Sequence, residues 1–208
     1  LINNAGQGEW GTFTTTDLDR ETAIIELNII STMSLTKYFL RDMVQNNSGK
    51  ILMLASSVSK APSPYMSVYA ATKAFILSFS EALIKEIEGT EVTITILQPD
   101  ATDTDFFHKA KAENSIAYRE KKLTDPQRIA LEAFRSLNEG KDIEVPGFQN
   151  KIQQALNTIM PDNMIVSSME KQMKESHKKN GRKQSSHTPS LRERKSINAY
   201  NNGHNGDY

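Results

Sequence analysis

The sequence predicts an α/β fold in which helices cover both faces of a parallel sheet, and three observations carry that prediction. Ile51 to Ala55 and Val92 to Leu97 are short runs that are continuously apolar or rich in β-branched residues, as expected of parallel strands covered on both faces. Long segments with apolar residues at helical spacing lie before and between them. Strand, helix, strand, helix, strand in that order is the βαβ pattern.

The elements follow in chain order. Leu1 to Asn3 is a strand stub that runs into Asn4-Ala5-Gly6. From Asp17 to about Val44 a long helix is expected, capped by Asp17 and carrying Leu18, Ile25, Leu27, Ile30, Met33, Leu35, Phe39 and Leu40 at helical spacing. The polar turn Asn46-Asn47-Ser48-Gly49 leads into the strand Ile51 to Ala55, which ends at Ser56-Ser57. A proline-containing loop precedes a second helix, about Ser67 to Glu88, stopped by Gly89, and the next strand ends at Gln98-Pro99. A polar segment with Phe106, Phe107, Ile116 and Tyr118 reads as a loop, its aromatics suited equally to a substrate lid or to packing. A helix opening near Thr124-Asp125-Pro126, a strand from Ile143 to Val145, and a helix from Phe148 to about Lys174 complete residues 1–175 as one domain. Residues 176–208 are almost free of apolar side chains and are expected to form a disordered basic tail.

Composition narrows the function. The 25 lysines and arginines balance 25 aspartates and glutamates, so no global field draws the chain to nucleic acid or an anionic membrane. The tail clusters Lys178-Lys179 and Arg192-Glu193-Arg194-Lys195 are expected to be solvated rather than to hold nucleic acid. With no cysteine there is no disulfide framework and no Cys-type zinc site, and a cytoplasmic location is expected. The longest apolar runs fall short of the roughly 20 residues of a membrane span, so no membrane partner is expected. His108, His177, His187 and His204 lack metal-type spacing, and there is no Gly-x-Ser-x-Gly elbow.

The chemistry lies in Tyr69-Ala70-Ala71-Thr72-Lys73, where phenol and ammonium share one helix face. A free tyrosine ionises at about 10, and a cation within about 4–6 Å lowers that value. A two-unit reduction would correspond to about 2.7 kcal/mol of differential interaction. The same spacing recurs at Tyr118 and Lys122, but only Tyr69 has a serine thirteen residues upstream, Ser56, at the C-terminal end of a parallel strand. Asp105 holds the matching position before Tyr118. Open α/β sheets bind ligands at that end of their strands, and a hydroxyl orienting a carbonyl beside a proton-donating phenol is general acid catalysis.

Asn3-Asn4-Ala5-Gly6 after a strand, Asn28 in a long helix, Ser56 and Tyr69-Ala-Ala-Thr-Lys73 together resemble the short-chain dehydrogenase/reductase family, from Leu1 to roughly Lys174. Tyr65 to Tyr69 and Val145 to Lys151 look most like uncharacterised bacterial members. The resemblance implies a Rossmann-like doubly wound sheet and an oxidoreductase that moves hydride between NAD or NADP and an alcohol or carbonyl substrate. It implies Tyr69 as proton donor or acceptor, and Lys73 as the group that lowers its pKa and holds the nicotinamide ribose. Ser56 would orient the substrate oxygen and Asn28 would support a water linking Lys73 to solvent. Asn4, Ala5 and Gly6 would line the adenosine side of the cofactor. In the place of the family's Pro-Gly and threonine stand Pro99-Asp100-Ala101-Thr102-Asp103-Thr104, and Thr102 and Thr104 would bond the cofactor amide and phosphates. Asp100 departs from the usual glycine and is expected to weaken cofactor affinity by facing the pyrophosphate, so that Asp100→Gly would bind more tightly. The family's first strands and glycine-rich phosphate loop are expected before Leu1, in about 80 further residues. The fragment alone is then expected to expose a sheet edge, to fold poorly and to bind no cofactor. A homodimer or homotetramer, packed through the two long helices, is implied as well. The alternative is a non-catalytic truncated relic or binding module of the same fold.

Overall fold

The computed structural model describes residues 1–147 and 160–176. The expected disordered tail from residue 177 onward, and the expected helix start at Phe148, lie outside the described residues.

The sheet has four parallel strands in the order β1 (Ile2–Asn3), β2 (Gly49–Leu54), β3 (Val92–Leu97) and β4 (Ile143–Glu144). β2 and β3 pair along their whole length, from Gly49 with Val92 to Leu54 with Leu97. Alternation along the strands sends side chains to opposite faces. Ile51, Met53, Ile94 and Ile96 pack with Ile76 and Leu77 of α3 (Ser67–Glu86) on one face, while Leu52 and Leu97 meet Ile129, Ala133 and Leu137 of a helix on the other. That second helix (Pro126–Glu139) is capped by Asp125, which accepts from the Gln127 N–H, and closes at Gly140 in the left-handed region (φ 65°). A sheet buried on both faces explains the lack of polar alternation in its strands. α3 is 20 residues long, and an 18-residue window of it has a mean hydropathy of 1.2, enough by length and composition to cross a membrane although its uninterrupted apolar runs are short, as expected. Its inner face is instead engaged by the sheet.

The long helix predicted from Asp17 is continuous in direction but mixed in type: α1 (Leu18–Ile25), a π-helical turn (Glu26–Ser31) and α2 (Thr32–Gln45). Asp17 caps it, accepting from the Arg20 N–H at 2.9 Å. The apolar residues counted as its core face are mostly outside it: Leu18, Ile25, Ile30, Met33, Leu35 and Phe39 are exposed. Ile24, Asn28, Thr32 and Thr36 make up much of the buried stripe instead, so polar groups face inward and apolar ones outward.

The segments leaving the C-terminal ends of the first three strands build a second core. Val58 and Ala61 lie in and after the 3₁₀ turn Ser57–Lys60, and Phe107 lies in α4 (Phe106–Lys109). They join Ala117 of α5 (Ile116–Arg119) and Ile165, Met169 and Met173 of the last described helix. With Pro126–Glu139 as α6, that last helix is α7 (Asp162–Met173). The segment expected to be a loop therefore contains two short helices, and the C-terminal helix begins after Pro161 rather than running through it. Proline in a helix interior would lack its hydrogen bond and clash with the preceding turn. Ser176, placed in the disordered tail, is buried and donates its N–H to Asn114 O at 2.7 Å, so the folded body extends through it.

Ile96 is fully buried at the centre of the larger sheet core. Ile96→Ala is expected to lower unfolding free energy by about 2–5 kcal/mol, read as a shift of the urea midpoint at constant slope.

Candidate active site

The structure gathers the predicted residues at the C-terminal ends of β1, β2 and β3. Lys73, only 4 % exposed, reaches down from α3 and donates from Nζ to Leu54 O, the last residue of β2, at 2.7 Å. Its Nζ lies 5.8 Å from the centre of the Tyr69 ring, one turn earlier on the same helix. Ser56 follows β2 in an extended conformation (φ −165°), and its hydroxyl lies close enough to the Tyr69 phenol to pull the phenol's pKa down. A capping box fixes Ser56: its N–H donates to Ser59 Oγ at 3.0 Å and its Oγ accepts from the Val58 N–H at 3.4 Å.

Asn28 sits in the π-helical turn, where the extra backbone residue re-aims a side chain. Its Oδ1 accepts from the Gln7 N–H at 3.0 Å. Its Nδ2 donates to Gln7 O and to Thr72 Oγ1, each at 2.9 Å. Asn28 thus fastens the loop after β1 to α3. Gly6 keeps this approach open: a Cβ would stand a tight 3.3 Å from Lys73 Nζ and 3.5 Å from Asn28 Oδ1. Asn4 and Ala5 beside it are exposed.

The electrostatics differ from the expectation that Lys73 lowers the phenol. Burial pushes Tyr69 up to about 12, with Ser56 pulling the other way, and burial pushes Lys73 down to about 8. Desolvation penalises both charged forms, and Lys73 spends its short bond on a backbone carbonyl rather than on the phenol.

After β3, Pro99 O accepts from the Ser57 N–H at 2.9 Å and the Asp100 carboxylate accepts from Ser57 Oγ at 3.1 Å. This revises the phosphate-facing placement of Asp100. Its carboxylate is turned to the residue next to Ser56, and β2 separates the end of β3 from Asn4, Ala5 and Gly6, two strand spacings or about 10 Å away. Thr102 Oγ1 donates to Asp100 O at 2.7 Å, and Thr102 bridges Thr124. Thr104 Oγ1 accepts from the Phe106 N–H at 3.4 Å.

Several contributors had no strong sequence signal. Gly8 lies against Tyr69: a Cβ there would meet Met66 Cε at 2.9 Å, Phe106 Cζ at 3.1 Å and Tyr69 Cδ2 at 3.3 Å. Gly6, Gly8 and Gly11 do stand at Gly-x-Gly-x-x-Gly spacing, a cluster the sequence expectation passed over. No helix opens behind it until Leu18, so it lacks the strand-loop-helix context of a pyrophosphate cradle. Glu9, buried, pairs with Lys111 at 2.7 Å and Arg20 at 3.6 Å. Phe106 packs on Tyr69 with ring centres 5.0 Å apart, while Phe107 is buried packing and Tyr118 bonds His108 Nε2 at 3.1 Å.

The sequence model of the family described as short chain dehydrogenase matches residues 1–115, more than half of the 208. The chain belongs to the short-chain dehydrogenase family. Among the relatives of this family member, ketoacyl reductase HetN of Nostoc sp. is 30 % identical over 161 residues, covering 77 % of this chain and 55 % of that protein. Dehydrogenase/reductase SDR family member 7B of Mus musculus is 28 % identical over 167 residues, covering 77 % of this chain and 52 % of that one. The chain thus spans little more than half the length of these curated relatives. Among solved structures, a short-chain dehydrogenase from Sphingobium yanoikuyae in complex with NADPH superposes with a TM-score of 0.66 at 24 % identity, over 77 % of this chain and 65 % of that one. A short chain dehydrogenase/reductase from Burkholderia phymatum in complex with NAD gives 0.65 at 20 % identity, over 75 % of this chain and 63 % of that one. These matches establish the Rossmann fold of this short-chain dehydrogenase family member.

The two shifted groups set a pH signature. Between about pH 8 and 10 the unfolded chain keeps the Lys73 proton while the folded protein has released it, so stability rises with pH. Between about pH 10 and 12 the unfolded chain ionises Tyr69 while the folded phenol keeps its proton, so stability falls. Lys73→Met is expected to remove its share of the rise, measured as the wild-type-minus-variant difference in urea unfolding free energy across pH 7–11. A difference that does not change with pH would contradict the assignment.

Proposed function

We propose that the protein is an NAD(P)-dependent oxidoreductase that moves hydride between a nicotinamide cofactor and an alcohol or carbonyl carbon of a small molecule, with Tyr69 handling the proton. The observation that carries this reading is the convergence of the Tyr69 phenol, the Ser56 hydroxyl and the buried Lys73 amine at the mouth of a parallel sheet. When bound, NAD or NADP supplies or accepts the hydride.

The residues present suit such a cofactor. An ammonium has three donors, and the bond of Lys73 to Leu54 O uses one, leaving N–H groups for ribose hydroxyls against the bare backbone of Gly6. Asn4, Ala5 and Gly6 would line the adenosine side, and Pro99, Thr102 and Thr104 the nicotinamide end. The NADPH and NAD complexes of the similar structures support a nicotinamide cofactor and leave both forms open.

In carbonyl reduction Ser56 donates a hydrogen bond to the substrate oxygen and Tyr69 gives that oxygen its proton as hydride reaches the carbon. A phenol held up to about 12 is protonated at neutral pH, the state reduction needs. In the reverse direction the phenolate accepts the proton, and Lys73, when protonated, stabilises it. Asn28 acts as a positioning residue through Gln7 and Thr72. Tyr69→Phe should lower turnover at least about 10²-fold and Ser56→Ala comparably, with cofactor binding retained. Normal turnover of Tyr69→Phe across a panel of ketones would end this reading.

We also propose a homo-oligomer joined through the apolar outer face of α1 and α2. Leu35 and Phe39 are four apart and both exposed, so they share that face. Sedimentation of the full-length protein should show a smaller species for the double variant Leu35→Asp and Phe39→Asp. Identical sedimentation of wild type and variant would rule out this face.

A further inference from the structure

We infer that Asp100 is a specificity-determining residue that makes the site favour the oxidised, cationic nicotinamide over the reduced, neutral one. The inference rests on the oxidoreductase reading above.

Asp100 is half-buried at the end of β3, and its Oδ1 is the oxygen engaged by Ser57 Oγ. The Ser57 N–H is held by Pro99 O, so side chain and backbone both clamp the Ser56-Ser57 step to the Pro99-Asp100 step. Among the described residues no lysine or arginine pairs with this carboxylate. A carboxylate with no cationic partner among the described residues is therefore bonded to Ser57, the residue next to the hydroxyl that faces Tyr69.

Hydride transfer requires the reacting carbons to approach within about 3–3.5 Å. A ring serving a carbon held by Tyr69 and Ser56 must lie within a few ångströms of that hydroxyl, and the backbone step from Ser56 to Ser57 joins that position to Asp100. The oxidised ring carries a positive charge and the reduced ring none, while ribose, phosphates and adenine are common to both. Any repulsion between Asp100 and the phosphates cancels in the ratio of the two affinities, whereas attraction to the ring does not. For a half-exposed carboxylate several ångströms away, screened by solvent, a preference of roughly tenfold is the expected size.

The test is calorimetric titration of the full-length protein with NAD⁺, NADH, NADP⁺ and NADPH. Asp100→Asn keeps an oxygen acceptor for Ser57 and removes the charge. It should weaken the oxidised form of the working cofactor about tenfold while the reduced form moves less than twofold, and Asp100→Glu should keep the wild-type ratio. In the wild type the oxidised-to-reduced preference should shrink as NaCl rises, a readout that survives if Asp100→Asn fails to fold. Equal shifts of both forms, an unchanged ratio, or a preference indifferent to salt would each overturn the inference while leaving the oxidoreductase reading intact. A wild type that binds neither form would defeat that reading, and the inference with it. A KM increase confined to amine-bearing ketones, at unchanged cofactor ratio, would assign Asp100 to the substrate instead and overturn the inference.

Discussion

A lysine buried to 4 % exposure must find its compensation inside the protein, and the arrangement of this site follows from how Lys73 finds it. Its bond to Leu54 O ties α3 to the last residue of β2. That tie sets the height of α3 over the sheet, and one turn earlier on the same face Tyr69 comes within hydrogen-bonding reach of Ser56, two residues beyond Leu54. The same approach makes a side chain at residue 6 tight, since a Cβ there would stand 3.3 Å from Lys73 Nζ. Two strand ends and one helix thus meet at a single buried amine, and the π-helical turn completes the set by bringing Asn28 against Gln7 and Thr72.

Much of this was legible in the sequence because the relevant signals are local. Val92 to Leu97 reads as a strand from its β-branched run and is one from end to end. Asp17 and Asp125 announce helix starts by chemistry that needs only the next three residues. Ser56, Tyr69 and Lys73 come together because a strand end and one helical turn fix their spacing. What was not legible depends on tertiary context. The π-helical turn has no sequence signature of its own, and a 3.6-residue period applied across it misassigns the faces on either side. The direction of the Tyr69 shift depends on how much water the fold removes, which spacing does not report. Gly8 needs its small size because Met66 and Tyr69, at the start of α3, and Phe106 of α4 converge on it from two distant segments.

The second core gives the reacting end a wall that the sheet does not provide. Phe106 on Tyr69, with Met66 and Trp10 packed in the same cluster, makes the surroundings of the phenol apolar. That explains why desolvation outweighs the pull of Ser56 there. The wall is anchored at several points: Trp10 donates its indole N–H to Met173 O at 2.8 Å and its backbone N–H to Ala110 O at 2.8 Å, and Glu9 is paired with Lys111. The aromatics that sequence left divided between lid and packing therefore divide by residue, with Phe107 in the core and Phe106 at the site.

The α1–α2 helix shows how the site constrains the orientation of a whole element. A helix packed on a sheet ordinarily turns its apolar stripe inward, yet here Asn28, Thr32 and Thr36 are buried and Leu35, Tyr38 and Phe39 are exposed. The inward polar groups have partners: Asn28 serves the loop after β1, and Thr36 Oγ1 accepts from Asn3 Nδ2 at 2.9 Å. Rotating the helix to bury the apolar stripe would break both, leaving Asn28 and Asn3 unsatisfied at a cost of about 1–3 kcal/mol per buried group. The site thus dictates the rotation of the helix, and the rotation puts the apolar stripe outside. The same rotation that satisfies the site therefore leaves Leu35, Tyr38 and Phe39 facing solvent.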